Sequence, residues 1–384
     1  MNIYLLMSTY NKKYSSGGTI AHRTAEYLAK KASVTVITIG EKRETLQENG
    51  IKVESFPLGM NYHKALLFTR AGIQEDYLSN WCKIVLEFIR KEIKPGKEDV
   101  FLATTVGELG MLHVGNAVKN MYGSKFYIHF HDPIKHAKVN GLKYGQYPLP
   151  YASREKYENE YVNNADKIFT CCDSFKEYLI KKYPGIEGKV QNYYFGWNSN
   201  LDTEMTESIH SYQKPFKVVY GGIFNWPQGP EILGKSLGGL KGFEVEYIGV
   251  WDRYKPVLKQ NANNIKCIKR MDKAEYVKYL STEVDMGFVP LSRDYFSACV
   301  PAKLYEYINA GIPILATLPE GDARNIINDN GYGIAVGYNV EELRRVALSL
   351  TKERLEEYKL NILKDREKWR FDNCMTGFFK EIVG

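Results

Sequence analysis

Short apolar runs alternate with amphipathic helical stretches along the chain, stop at a polar segment, and then begin again. That alternation limits the fold more than any other feature of the sequence. In the first half, Asn2–Ser8, Val34–Ile39, Ile51–Phe56, Val100–Thr104, Phe126–Phe130 and Asp166–Cys172 read as strands. Between them Thr19–Lys31, Asp76–Glu92, Leu109–Met121 and Phe175–Lys182 read as helices. The first carries Ile20, Ala21, Ala25 and Leu28 on one side; the second carries Trp81, Val85, Phe88 and Ile89. Strands without in–out polarity, separated by helices, belong to parallel sheets covered on both faces. Leu201–Lys214 is polar and unpatterned and reads as a linker. The alternation resumes with strands at Phe216–Tyr220, Glu244–Gly249, Ile265–Lys269, Asp285–Leu291, Ile312–Ala316 and Gly331–Val336. Helices are expected after the Gly221–Pro230 loop and at Asp272–Leu280, Ala302–Ala310, Val340–Leu350, Lys352–Lys368 and Trp369–Val383. At 384 residues the chain exceeds what one core serves. The prediction is therefore α/β with two Rossmann-like domains, 1–200 and 215–368, facing a central cleft, joined by a 201–214 linker and followed by an aromatic helix over 369–384.

Candidate ligand residues gather where strands end, which is where open parallel sheets bind ligands. Gly17-Gly18 follows the first strand and permits close approach to backbone amides. The loop is not G-x-G-x-x-G, and the second strand ends Thr38-Ile39-Gly40-Glu41, which argues against a dinucleotide site. His131-Asp132-Pro133 ends another strand and offers a donor and an acceptor ahead of a rigid turn. Gly221-Gly222 begins a second glycine loop that contains Gln228. Ser297–Thr317 is the densest stretch: Pro301 is expected at the first helical position, Gly311 at a left-handed cap, and a buried strand follows. Lys303 and Glu306 share the first turn of that helix. A cation there opposes the helix dipole unless an anion is present, which points to a phosphate-bearing ligand. The competing reading is a surface ion pair between the two side chains. Tyr144, Tyr147, Tyr151, Tyr157 and Tyr161 surround two prolines and could line an acceptor site, although packing of a lid or helix start explains them better.

Composition removes several classes. No apolar run approaches the roughly 20 residues a membrane span needs. The start, MNIYLLMSTYNKK, lacks a basic region ahead of its apolar run and reads as a strand, not a signal peptide. The six cysteines form no C-x-x-C pair or zinc spacing, so reduced thiols in a cytoplasmic chain are expected. Net charge is +7, with 27 Lys/Arg against 20 Asp/Glu in residues 1–200 and 25 against 25 in residues 201–384. All the excess is in the first half. An anionic membrane surface, a phosphorylated acceptor or an unspecialised basic face each accounts for it; nucleic acid is disfavoured by the absence of a basic stripe or recognition motif.

Taken together, Gly17-Gly18, His131-Asp132, the Gly221–Gly229 loop and V-P-A-K-L-Y-E-Y-I-N-A-G-I-P-I-L-A-T resemble the GT-B fold glycosyltransferases, in particular the retaining, nucleotide-sugar-dependent family 4. The resemblance implies transfer of a sugar from a UDP- or GDP-linked donor to a glycan or lipid-linked acceptor, in surface polysaccharide or glycoconjugate synthesis, with no metal or other cofactor. It implies a cytoplasmic protein, peripheral at the inner face of the membrane, whose C-terminal helix crosses back to the first domain. Glu306 is similar to the second glutamate of the family's Glu-x7-Glu motif, which holds the nucleotide ribose. Ala302 and Lys303 would hold the diphosphate, with Gly222 and Gln228 in the facing loop. Gly17 and Gly18 would approach the phosphate from the first domain, and His131, followed by Asp132, would lie near the transferred sugar. The chain departs from the pattern at three places. Ala298 stands where the first motif glutamate would be, Gln228 stands roughly where the loop's lysine would be, and the loop's arginine is missing. A nucleotide-sugar 2-epimerase or a non-catalytic sugar-nucleotide-binding subunit on the same fold are the alternatives.

Overall fold

A computed structural model describes residues 1–10, 16–134, 138–139, 142–143, 151–197, 212–222, 224, 228–249, 254–255, 258, 262–292 and 297–384. The Tyr144–Tyr147 part of the tyrosine cluster, Asn225–Pro227 of the second glycine loop and most of the expected linker lie outside these residues. Two compact units divide the chain: Met1–Tyr193 with Thr376–Gly384, and Tyr194–Met375.

The first unit holds a sheet in the order β10-β9-β6-β5-β1-β2-β4-β3. Its members are β1 (Asn2–Met7), β2 (Ser33–Ile39), β3 (Glu44–Glu48), β4 (Ile51–Phe56), β5 (Val100–Val106), β6 (Lys125–Asp132), β9 (Lys167–Thr170) and β10 (Val190–Asn192). The two-residue strands β7 (Lys138–Val139) and β8 (Leu142–Lys143) pair with each other. All pairings in the main sheet are parallel except β3–β4. Helices α1 (Ser16–Ala29), α2 (Tyr62–Arg70), α3 (Ser79–Phe88), α4 (Gly110–Tyr122), α5 (Tyr151–Asn164) and α6 (Asp173–Lys182) connect the strands. Ile3, Leu5, Val36, Phe101, Leu102 and Ile128 are wholly buried, as strands covered on both faces must be. Strand β3 gave no apolar signal because all five of its residues are exposed at the sheet edge.

The second unit holds a wholly parallel sheet in the order β13-β12-β11-β14-β15-β16. These are β11 (Phe216–Gly221), β12 (Phe243–Ile248), β13 (Ile265–Ile268), β14 (Met286–Pro290), β15 (Ile314–Thr317) and β16 (Gly333–Val336). Helices α7 (Glu231–Leu237), α8 (Lys273–Glu283), α9 (Ala302–Ala310), α10 (Asp322–Asp329), α11 (Val340–Leu348) and α12 (Lys352–Asp365) accompany it. Asp272 caps α8 by accepting the Glu275 N–H, and Gly311 ends α9 at φ 68°.

Three local expectations change. Helix α1 begins at Ser16, so Gly17 and Gly18 lie in its first turn and not in a preceding loop. Pro301 is the N-cap of α9, one residue before the expected position. The expected helix Trp369–Val383 is also broken, into a tight turn at Arg366–Trp369, α13 (Phe371–Cys374) and α14 (Thr376–Val383). Backbone pairing causes the break: Trp197 donates its N–H to Trp369 O at 2.7 Å, and Phe371 donates back to Trp197 O at 2.9 Å. The aromatic residues divide accordingly. Trp369 packs in the second unit, whereas Phe378 and Phe379 pack in the first against His129 and Tyr27.

Candidate functional site

In the second unit the chain runs from β11 outward to β12 and β13, then returns to place β14 on the other side of β11. The reversal leaves a crevice between the C-terminal ends of β11 and β14. Gly221 ends β11, and Gly222 follows at φ 132°, a conformation that side chains rarely adopt. A Cβ at Gly221 would stand 2.0 Å from the Tyr276 hydroxyl, and one at Gly222 would stand 3.0 Å from Lys303 Cε. The double glycine thus leaves room for one side chain from α8 and one from α9.

Helix α9 is fixed over this crevice from below. Tyr307 occupies the space that Gly287 of β14 leaves empty and donates its hydroxyl to Val219 O of β11 at 3.2 Å. The N-cap Pro301 supplies no capping side chain to the first N–H groups of α9. Ala302 is the exposed first residue there. Lys303 is half-buried, and its ammonium lies 4.9 Å from the centre of the Tyr220 ring. It has no hydrogen-bond or carboxylate partner among the described residues. Burial pushes the Lys303 pKa down; Glu306 nearby raises it and Lys273 lowers it further. Tyr220 in turn donates its hydroxyl to Gln228 Oε1 at 3.3 Å. Gln228 and Lys303 are therefore brought together through Tyr220, and Gly222 lies against Lys303.

Glu306 pairs with Lys273 at the start of α8 and not with Lys303. The surface pair weighed from the sequence does not form; the two side chains of the helix turn to different partners. Lys273 and Tyr220 are the site residues that sequence reasoning passed over. Only tertiary packing brings Lys273 to Glu306, and Tyr220 lies in a strand whose residues are otherwise read as core. A further strut supports the glycine loop: the Tyr338 hydroxyl lies 3.2 Å from Gly229 O and 3.1 Å from Glu231 Oε1. Ala298 is buried and supplies no polar group.

The first unit has its own reversal, between β1 and β5. Gly17 rests over it: a Cβ there would stand 3.7 Å from Val106 Cγ1, at the end of β5. Gly18 is buried in the same turn. His131 and Asp132 end β6, and Asp132 registers with Val106 across a bulge, so both lie at the same sheet edge as Gly17. His131 Nε2 is 3.4 Å from His129 Nδ1. Burial depresses the His131 pKa to about 3, so its imidazole is neutral at physiological pH. Buried Glu108 accepts from Val106 N at 3.1 Å, Tyr77 hydroxyl at 3.3 Å and Ser8 hydroxyl at 3.4 Å. It ties the ends of β1 and β5 together, and nothing in its sequence context marked it. Among the described residues no group of three or more His, Cys, Asp or Glu is placed to hold a metal ion. All six cysteines are free thiols.

No protein-family model and no curated protein sequence matches the chain. Solved structures do match along its whole length. WaaG, a glycosyltransferase involved in lipopolysaccharide biosynthesis, is similar at TM-score 0.71 and 14% identity, over 100% of both chains. HepE from Anabaena, solved with UDP and glucose, is similar at TM-score 0.67 and 13% identity, over 100% of this chain and 99% of its own. A trehalose-6-phosphate protein from E. coli, bound with UDP-2-fluoro glucose, is similar at TM-score 0.69 and 10% identity, over 100% of this chain and 99% of its own. The chain has the GT-B fold.

Proposed function

We propose that the chain is a glycosyltransferase that moves a sugar from a nucleotide-sugar donor to a glycan or lipid-linked acceptor. One observation carries the reading. Lys303, half-buried beside the uncapped start of α9 and against Gly222, has no anionic partner among the described residues. A desolvated cation and open amide N–H groups at a helix start suit a diphosphate. Glu306, held by Lys273 one turn further along α9, suits two neighbouring ribose hydroxyls. That HepE and the E. coli protein were solved with UDP or a UDP-sugar supports a UDP-linked donor here.

The proposed chemistry is dominated by leaving-group stabilisation. As the sugar–phosphate bond breaks, the nucleoside diphosphate gains charge, and Lys303 with the Ala302 and Lys303 amides offsets it. The acceptor hydroxyl attacks from the leaving-group face and gives its proton to the departing phosphate oxygen, which retains the anomeric configuration. His131, neutral through burial, can donate a hydrogen bond to the transferred sugar, with Asp132 and the Gly17-Gly18 turn at the same edge of the first unit. In this reading the first unit binds the acceptor, and the second the donor.

A second reading, a subunit that binds a sugar nucleotide without turning it over, is favoured by Ala298, a buried methyl where the donor sugar would expect a carboxylate. One experiment tests both. The protein is incubated with UDP-, GDP- and CMP-sugars, and the nucleotides and sugars are resolved by chromatography. Free nucleotide with the sugar transferred or hydrolysed supports the transferase. Binding without turnover supports the second reading, and an epimerised donor with neither product contradicts both.

A further inference from the structure

We propose that the outer edge of β3 takes up an extended basic segment of another protein as an added antiparallel strand. This surface is independent of the transferase reading. Strand β3 ends its sheet, and among the described residues no strand lies on its far side. Every residue from Glu41 to Gly50 is exposed. Edges of this kind are normally blunted by lysine, proline or a bulge. Strand β3 reads Glu-Thr-Leu-Gln-Glu, has neither residue, and keeps an unbroken register with β4 from Glu44↔Ser55 to Glu48↔Ile51. The two strands close through a two-residue turn, with Asn49 at φ 50° and Gly50 at φ 78°. Such a turn makes Glu48 and Ile51 a hydrogen-bonded pair, so Leu46 and Glu44 likewise spend their backbone groups on β4. Thr45 and Gln47 then turn their N–H and C=O groups outward, ready to bond a further strand.

The edge is held in place from its inner side. The Thr45 hydroxyl donates to Glu54 Oε2 of β4 at 2.8 Å, and Glu54 is buried. The side chains of β3 select the occupant. Glu44, Leu46 and Glu48 share one face and are 43%, 53% and 49% exposed. Lys42, itself highly exposed, lies 3.7 Å from Glu44, a surface pair of little strength. His22 lies 3.4 Å from Glu48. Arg43 is drawn away to Glu92, over the rings of Phe56 and Phe88. The strand thus presents two carboxylates on either side of an apolar side chain, in the half of the chain that carries all the basic excess. On an antiparallel neighbour, the residues opposite Glu44, Leu46 and Glu48 form the closely spaced pairs that lack mutual hydrogen bonds. A cation–x–apolar–x–cation pattern is therefore the complement. A second copy is disfavoured. Pairing β3 with itself along its full length sets Glu44 opposite Glu48 twice, and like charges directly opposite destabilise.

The test uses the full chain and two end-capped peptides, Thr-Lys-Thr-Val-Thr-Lys-Thr and its counterpart with both lysines replaced by glutamate. Saturable binding of the first, read by fluorescence anisotropy, is expected, together with slowed amide hydrogen exchange at Thr45 and Gln47. The glutamate peptide should show neither. Glu44→Gln/Glu48→Gln should weaken binding by roughly 2- to 30-fold, from two lost cross-strand charge pairs. Gln47→Pro should abolish it, because the ring removes an outward N–H at a place where edge strands tolerate proline. Circular dichroism confirms that the variants fold, and the glutamine double variant, altered only at exposed side chains, remains decisive if the proline variant does not. Absence of binding, equal binding of the two peptides, or binding that leaves exchange at Thr45 and Gln47 unchanged overturns the proposal. So does binding that neither variant weakens. Concentration-dependent self-association that is lost in Gln47→Pro also overturns it, by making a second copy the occupant.

Discussion

Lys303→Met separates a phosphate site from a structural cation. Methionine keeps the unbranched stem beside Gly222 and its contact with the Tyr220 ring, where a thioether packs well. It removes only the charge. No carboxylate loses its partner, because Glu306 is paired with Lys273. A hydrogen bond to a charged group contributes about 1.5–3 kcal/mol. Affinity for UDP should therefore fall by roughly 10- to 150-fold, while affinity for uridine should change by less than about twofold. Isothermal titration with the two ligands reads both. Thermal stability should not fall, since burial already penalises the charged amine. The pH dependence has a definite sign. In the folded protein Lys303 holds its proton less tightly than in the unfolded chain, so its charge costs stability below the folded pKa, and the cost vanishes as pH rises past the unfolded value. UDP binding needs the charged form, so affinity should decline as pH rises through the lowered pKa, and this decline should be missing in Lys303→Met. Equal losses for UDP and uridine, or no loss for either, would refute the assignment.

Three further predictions concern the scaffold. Gly333→Ala places a Cβ 1.8 Å from the Ile314 carbonyl oxygen in the β15–β16 pairing; backbone cannot swing aside, so we expect a loss of about 3 kcal/mol or more, read by urea unfolding. Gly115→Ala meets Phe126 Cε2 at 2.3 Å and should cost about 1–3 kcal/mol through overpacking, with much of the loss restored by adding Phe126→Leu; a double variant no better than the single one would show that the clash lies elsewhere. Asp76 is raised to about 6, first by burial, although Leu78 and Leu109 N–H groups bond its two oxygens and Arg154 lies near. Its contribution to stability is therefore fullest below the ordinary carboxylate range and is lost as pH rises through about 6, a slope that Asp76→Asn should remove from the unfolding profile.

The alternation of apolar runs and helices was enough to place both parallel sheets, because strands buried on both faces leave a strong local signal. Edge strand β3 left none: Glu44–Glu48 is polar and held only by pairing to β4. The aromatic end of the chain misled for a related reason. Trp369 to Val383 has helical composition, yet the pairing of Trp197 with Trp369 and Phe371 is a long-range contact that local periodicity does not encode. Gly221-Gly222 and the Ser297–Thr317 stretch were legible because tight turns and helix caps demand particular residues at fixed spacing, whereas Gly17-Gly18, read as a loop, lies in the first turn of α1. Lys273, Tyr220 and Glu108 were not: each is defined by what folding brings beside it, and none departs from the ordinary composition of its element.

The central claim, that a nucleotide ribose sits on Glu306, has a direct chemical readout, because the Lys273 amine is bonded to that carboxylate. Periodate-oxidised UDP and GDP carry two aldehydes in place of the ribose diol and form Schiff bases with a neighbouring lysine. After borohydride reduction and peptide mapping, the account predicts an adduct on Lys273, prevented by excess unmodified nucleotide and lost in Lys273→Arg. Labelling confined to lysines of residues 1–193, or labelling of Lys273 that excess nucleotide does not suppress, would contradict it.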